Sequence, residues 1–98
     1  LSPGAAVEIE HAPNRPIDAL FIMVGCVDQS AGRPFDMEIE GRDRRGELWK
    51  IKASLKNETR YYQRAPILKE SSGRIAIRYV GEKGKAFLCI AELRPLTR

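Results

Sequence analysis

The sequence lacks any apolar run long enough to cross a membrane as a helix. Its apolar stretches stay below the roughly 18 residues that such a span requires, so an integral membrane protein of this kind is excluded. A length of 98 residues suits one domain and leaves no room for two. Because the chain opens with Leu1 rather than Met, we expect residues 1–98 to be a single domain from a larger protein.

Cysteine is scarce and widely spaced. Cys26 and Cys89 lie far apart, each inside an apolar stretch, which excludes a local CxxC redox or zinc motif. Two interpretations stay open: a pair of buried free thiols, or a disulfide that joins two central strands in a secreted protein. One histidine and two cysteines supply too few soft ligands for a zinc site, so we predict no metal and no other cofactor.

Catalytic groups are also lacking. His11 is the only histidine, and no nucleophile and carboxylate stand in a pattern that would complete a triad with it. Asp36, Glu38 and Glu40 alternate along one predicted strand face, where we interpret them as solubilising charges. The glycine spacing at 81–85 is too short for a phosphate-binding loop. The sequence therefore predicts a protein that is not an enzyme.

Alternation of apolar and polar residues dominates what is present, and turn residues interrupt it about every 8–12 positions. No stretch has the periodicity of an amphipathic helix. Seven short strands in a chain of this length predict an all-β fold, an antiparallel two-sheet β-sandwich that is jelly-roll-like. The predicted strands or extended segments cover 7–11, 17–27, 35–40, 49–56, 60–69, 74–80 and 87–93.

Two of these stretches are apolar at nearly every position rather than at every second one. They are 17–27 and 87–93, and we expect both to be interior strands that are buried on both faces. Trp49 belongs to an alternating strand instead. It shares a face with Ile51 and Leu55, so we expect its ring in the core rather than on a binding surface.

The second half of the chain resembles the closing strands of known jelly-roll sandwiches. The run GRIAIRYVG (73–81) is followed by a glycine turn and then by FLCIAEL (87–93). MAM domains, bacterial cleaved-adhesin modules and galactose-binding-like carbohydrate modules have a similar order, although they commonly carry an acidic pair where this chain has Ala91-Glu92. The resemblance implies an extracellular or cell-surface binding module beside neighbouring domains of the same chain.

The charges are divided unevenly along the chain. Residues 1–41 hold seven acids and two bases, whereas residues 42–98 hold six acids and fifteen bases. A basic surface that also carries aromatic rings is what an anionic or stacking ligand requires. We predict that ligand contacts come from an exposed polar and aromatic cluster in an irregular segment: Arg60, Tyr61, Tyr62 and Arg64.

Three functions fit these observations. The preferred one is a non-catalytic recognition module of a secreted or surface protein that binds a carbohydrate or a protein partner. The first alternative is a cytoplasmic module that binds an anionic partner, RNA or an acidic protein, through the basic strand from Arg42 to Lys56. The second is a purely structural packing domain, in which acidic and basic strands pair across a sheet. Asn57 begins an N-glycosylation sequon, which matters only for a eukaryotic secretory protein.

Overall fold

The computed structural model describes residues 4–26, 35–56, 58–80 and 88–97. These residues form seven strands and no helix, which confirms the all-β prediction. None of them therefore forms a helix that is long and apolar enough to span a membrane. The strands are β1 (Ala6–Glu10), β2 (Arg15–Cys26), β3 (Phe35–Arg42), β4 (Leu48–Leu55), β5 (Glu58–Ser71), β6 (Arg74–Tyr79) and β7 (Leu88–Thr97).

The strands pair into two antiparallel sheets, as the sandwich prediction requires. A four-stranded sheet has the order β1-β6-β3-β4, and a three-stranded sheet has the order β5-β2-β7. Each sheet turns one face toward the other, and the apolar residues of the alternating strands meet between them. The buried core consists of Ile17, Leu20, Ile22, Met37, Ile39, Leu55, Ala65, Ile67, Ile75, Ile77 and Tyr79.

Trp49 links the two sheets at the margin of this core. Its ring is partly buried against the core, as the sequence predicts, and its indole N–H donates to the carbonyl of Glu70 over 2.9 Å. Gly41 makes room for the ring, because a Cβ at this position would lie 2.5 Å from Cζ2 of Trp49. A larger residue at position 41 would therefore displace the tryptophan.

The strand β2 lies at the centre of its sheet, as predicted, but only one of its faces is fully covered. Ile17, Leu20 and Ile22 have no exposed surface, whereas Phe21 and Met23 on the other face are half-buried. The reason is that the described chain supplies two layers and no third layer beyond the three-stranded sheet. Over 17–23 the prediction of burial on both faces therefore holds for the core face only, and the side chains of 24–27 lie outside the described residues.

The strand β7 lies at an edge of the three-stranded sheet among the described strands, so the prediction of an interior position in the sheet is wrong. Phe87 and the side chains of 88–93 lie outside the described residues, so their burial stays a prediction. The strand also continues past Pro95 to Thr97, whereas the predicted segment ends at residue 93. An edge strand accommodates proline, because one side of its backbone has no ladder to complete. Apolar composition indicates burial of side chains but does not reveal how many neighbours a strand has.

The segment from Arg60 to Lys69 belongs to the longest strand, β5, which has 14 residues. Pro66 lies on this edge strand, where a residue without an N–H is tolerated. The pairing of β5 with β2 shifts register twice, and Leu68 near one shift has a left-handed backbone with φ of 54°. Such irregularities bend a strand and change which way its side chains point.

Three features of the sequence fall wholly or partly outside the described residues. The backbone register places Cys89 beside Gly25 and Cys26 beside Leu88, but the side chains of both cysteines lie outside the described part of the chain. The choice between free thiols and a disulfide therefore stays open. Asn57 and the glycine turn at 81–85 also lie outside the described residues.

Candidate recognition face

The outer face of the three-stranded sheet is built around β2. Side chains alternate between the two faces of a strand, so the burial of Leu20 and Ile22 in the core turns Phe21 and Met23 outward. At these positions β2 therefore presents an aromatic ring and a thioether on its outer face, and both side chains are half-buried.

The antiparallel register places one arginine on each side of Phe21. Arg64 on β5 and Arg94 on β7 are both direct partners of Phe21, and both are exposed. Directly opposed residues in neighbouring strands share a face of the sheet. Within the described part of the chain, neither guanidinium forms an ion pair with an acidic side chain. Glu92 takes the register position beside Met23, and its side chain lies outside the described residues.

Tyr62 joins this group from β5. Its ring meets Phe21 edge to face, with ring centroids 6.5 Å apart and an interplanar angle of 81°. The guanidinium carbon of Arg94 lies over the Tyr62 ring, 5.7 Å from its centroid, so Arg94 reaches across β2 to do so. Stacking of this kind orients an arginine without neutralising it. We name this group the arginine–aromatic face; its members are Phe21, Met23, Tyr62, Arg64 and Arg94.

The structure brings part of the predicted ligand-binding cluster to this face. Tyr62 and Arg64 belong to it, and Tyr62 is half-buried whereas Arg64 is exposed. Tyr61 is 55% exposed and makes no described ring contact. Arg60 lies in β5, but its side chain is outside the described residues.

Phe21 and Arg94 were not among the predicted site residues. Both are distant in sequence from the segment 60–64, and only the pairing of β2 with β5 and β7 brings them beside it. One sequence signal could have pointed to Phe21, because a strand that is apolar on both faces needs a covering layer on each. The seven described strands form two sheets and leave one of those faces without such a layer.

Gln63 holds this part of β5 in place. Its side-chain oxygen accepts from the backbone N–H of Lys56 over 2.6 Å, and its NH₂ group donates to the carbonyl of Lys56 over 2.7 Å. The amide thus pairs with both backbone groups of the residue after β4, as another strand would. These two hydrogen bonds anchor Tyr62 and Arg64, which flank Gln63 in sequence, to the other sheet.

The outer face of the four-stranded sheet has a different construction, with rows of opposite charge. The register sets Glu38 between Lys52 and Arg78, and sets Glu10 beside Arg74. Directly opposed charges of opposite sign stabilise a sheet modestly. We name this group the charge-paired face; its members are Glu8, Glu10, Asp36, Glu38, Glu40, Lys50, Lys52, Arg74 and Arg78.

The distances show ion pairs among six of these residues. Nζ of Lys50 lies 3.7 Å from Glu38 and 3.9 Å from Glu40, and Arg78 lies 3.9 Å from Glu40. Arg74 lies 3.2 Å from Glu10. Lysines whose charge is compensated in this way attract phosphates less than isolated ones do.

A groove of about 610 Å³ runs along one end of this face. Acidic and basic groups line it together, and Leu48 and Ala76 contribute apolar surface. Charges of both signs line the groove, and two of its lining residues, Glu10 and Arg74, pair with each other. The groove therefore presents no uniform electrostatic field to a ligand. Its lining includes Glu8, Glu10, Glu40, Arg42 and Arg74.

His11 contacts a serine that the sequence did not connect with it. Nδ1 lies 2.7 Å from the carbonyl oxygen of Ala12, which can only accept, so Nδ1 donates this hydrogen bond. Nε2 lies 2.7 Å from the hydroxyl oxygen of Ser71, with which it shares a hydrogen bond. Ser71 has no exposed surface, so a substrate cannot reach its hydroxyl in this conformation. The pair fastens the end of β1 to the end of β5.

Among the described residues, no group of three or more histidine, cysteine, aspartate and glutamate side chains could hold a metal ion. No family model matches the chain, and neither a curated protein nor a solved structure matches it.

Proposed function

We propose that the chain is a non-catalytic recognition module that binds a protein partner through the arginine–aromatic face. The register around Phe21 carries the proposal, because it sets an exposed arginine on each side of a half-buried aromatic residue. Arginine and aromatic side chains are enriched among the residues that dominate binding energy in protein interfaces. Rigid strands hold them here, and Gln63 fixes the edge strand that carries two of them.

A carbohydrate ligand is the second candidate, and the exposure of Tyr61 is the observation that favours it. Sugars stack on open ring faces. The ring of Tyr62 is less open than that of Tyr61, because Arg94 lies over it and Phe21 meets it edge to face. The proposal therefore prefers a protein partner to a sugar.

The alternative site on the basic strand from Arg42 to Lys56 has less support. Lys50 lies near both Glu38 and Glu40, and Glu38 is the register partner of Lys52. The charge-paired face thus fits the structural interpretation, in which acidic and basic strands pair with each other. That interpretation does not extend to Arg64 and Arg94, which have no acidic partner among the described side chains.

An extracellular or cell-surface location remains part of this proposal, and the cytoplasm is the alternative. Its support is the resemblance of residues 73–81 and 87–93 to the closing strands of adhesin and carbohydrate modules. Neighbouring domains of the same chain are expected on the same ground.

A three-arm screen tests the function. The purified domain is offered a displayed random-peptide library, an array of neutral oligosaccharides and a pool of single-stranded RNA. Every binder is then measured against the variant R64A/R94A and against K50A/K52A, which removes the same charge from the charge-paired face.

The proposal expects peptide binders that R64A/R94A loses and K50A/K52A keeps. Sugar binders that depend on Tyr61, with no peptide binder, would replace it by the carbohydrate function. Binders that K50A/K52A alone loses, or no binder in any arm, would contradict it.

A further inference from the structure

The two faces of β2 differ in what covers them. Ile17, Leu20 and Ile22 pack against the four-stranded sheet and have no exposed surface. Phe21 and Met23 on the other face are apolar as well, yet no described strand lies over them. A central strand that is apolar on both faces is the pattern of a sheet covered on both sides. Exposed apolar patches bordered by polar residues are typical of interaction sites.

The border of this patch is basic. Arg64 and Arg94 flank Phe21, and no described carboxylate pairs with either of them. By contrast, Lys50, Arg74 and Arg78 on the other sheet all have acidic neighbours within 4 Å. At the register positions beside Phe21 and Met23, two arginines stand against one acid, Glu92. Charge complementarity therefore calls for an acidic partner.

Tyr62 prepares one of the two arginines. Its ring lies under the guanidinium of Arg94 and holds that group over β5, the strand that also carries Arg64. Both guanidinium groups are therefore available on the same part of the sheet, where each can form two parallel hydrogen bonds with a carboxylate.

We propose, resting on the function proposed above, that the partner is an acidic segment of another protein. Its apolar side chain packs on Phe21 and Met23, and its carboxylates pair with Arg64 and Arg94. Tyr62 is a positioning residue, because it acts through Arg94. A nucleic acid fits less well, since bases need free ring faces for stacking and the rings of Phe21 and Tyr62 are engaged with each other and with Arg94.

Matched synthetic peptides test this partner chemistry. The first repeats Glu-Ser-Phe-Ser-Glu, which places two acids and one ring on the same side of an extended chain. The second replaces Glu by Lys, and the third replaces Phe by Ser. A single-stranded RNA is the fourth probe. Each is titrated into the isotopically labelled domain up to a concentration of about 1 mM while backbone amide shifts are recorded. This range detects even weak binding, with a Kd close to that concentration.

The acidic peptide with the ring is expected to bind most tightly and to shift the amides of Phe21, Tyr62, Arg64 and Arg94. R64A/R94A raises its Kd by at least about tenfold, as truncation of interface arginines does. K50A/K52A changes the Kd by less than about twofold, as expected for charges outside the contact. Tyr62→Phe keeps the affinity, because the ring remains under Arg94, whereas Tyr62→Leu lowers it.

The contrary results separate the two proposals. If the lysine peptide or the RNA binds at these same amides at least as tightly, the acidic partner is wrong and the recognition face stands. If the acidic peptide binds only near Lys50 and Lys52, or does not bind at all, the acidic partner is also wrong, and the three-arm screen decides the function separately. Melting temperatures of R64A/R94A and K50A/K52A confirm that each variant is folded.

Discussion

The two sheets of this domain present opposite kinds of surface to solvent. On the charge-paired face, acids of β1 and β3 lie beside bases of β4 and β6, and the charges neutralise each other within the sheet. On the arginine–aromatic face, Arg64 and Arg94 flank an aromatic residue and have no described acidic partner. Residues 42–98, which hold most of the basic side chains, contribute to both surfaces. Its charge alone therefore does not locate a binding site, whereas strand register does.

Truncating one side chain on each face of β2 should give the largest difference in the free energy of unfolding. Ile22→Ala is expected to reduce the free energy of unfolding by about 2–4 kcal/mol, because it removes a fully buried side chain and leaves a cavity. Met23→Ala on the outer face should cost less than about 1 kcal/mol, since its side chain is only half-buried. Urea denaturation measures both values. Equal losses at the two positions would mean that a layer covers the outer face.

Enlarging one side chain on each face of the four-stranded sheet should give the next largest difference in stability. Gly41→Ala should cost about 1–3 kcal/mol, because the new Cβ would meet the ring of Trp49 on the core face. Ala76→Lys on the charge-paired face should change stability by less than about 0.5 kcal/mol, since the register places position 76 between Glu8 and Glu40. Thermal unfolding compares them. A Gly41→Ala protein as stable as the parent would show that the tryptophan is not held in this position.

Breaking the charge pairs should make the two outer faces more alike. The variant E38Q/E40Q leaves Lys50 without its two acidic neighbours and should lower stability by no more than about 1 kcal/mol, because exposed ion pairs contribute little. It should also bind a polyanion column more tightly, and salt should reverse the gain. The control E8Q/D36N removes the same charge without breaking an ion pair of the described residues. Equal retention of the two variants would show that local pairing does not matter.

The smallest effect on stability is expected at the arginine–aromatic face itself. Arg64→Ala should change the free energy of unfolding by less than about 0.5 kcal/mol, as is usual for exposed positions without an ion-pair partner. Arg60, from the same predicted cluster, is treated in parallel. Denaturation curves check both. A loss above about 1 kcal/mol at Arg64 would indicate that the residue supports the fold rather than recognition.

Much of the fold follows from local pattern in the sequence. Alternation locates β1, β3, β4 and β6 within a residue or two, because each of these strands has one core face and one polar face. The same pattern is weaker in β5, where two register shifts and the left-handed backbone of Leu68 interrupt the period of two. Strand order is not encoded locally, which is why β7 was expected in the interior and lies at an edge.

The candidate site could be predicted only in part for the same reason. The segment 60–64 stands out because aromatic and basic residues adjoin each other in sequence. Phe21 and Arg94 reach it through long-range strand pairing, which no short window of sequence contains. The neutralisation of Lys50 by Glu38 and Glu40 also depends on pairing of separate strands, although the sequence did suggest that acidic and basic strands could pair.

Calorimetric titration of a peptide binder from the screen into two charge-matched variants tests the central claim most directly. The comparison sets R64A/R94A against K50A/K52A at one salt concentration, so that both variants lose the same charge. We predict that R64A/R94A weakens binding by at least about tenfold and that K50A/K52A changes it by less than about twofold. The claim would be contradicted if K50A/K52A weakened binding as much as R64A/R94A, because the two faces would then not differ in recognition.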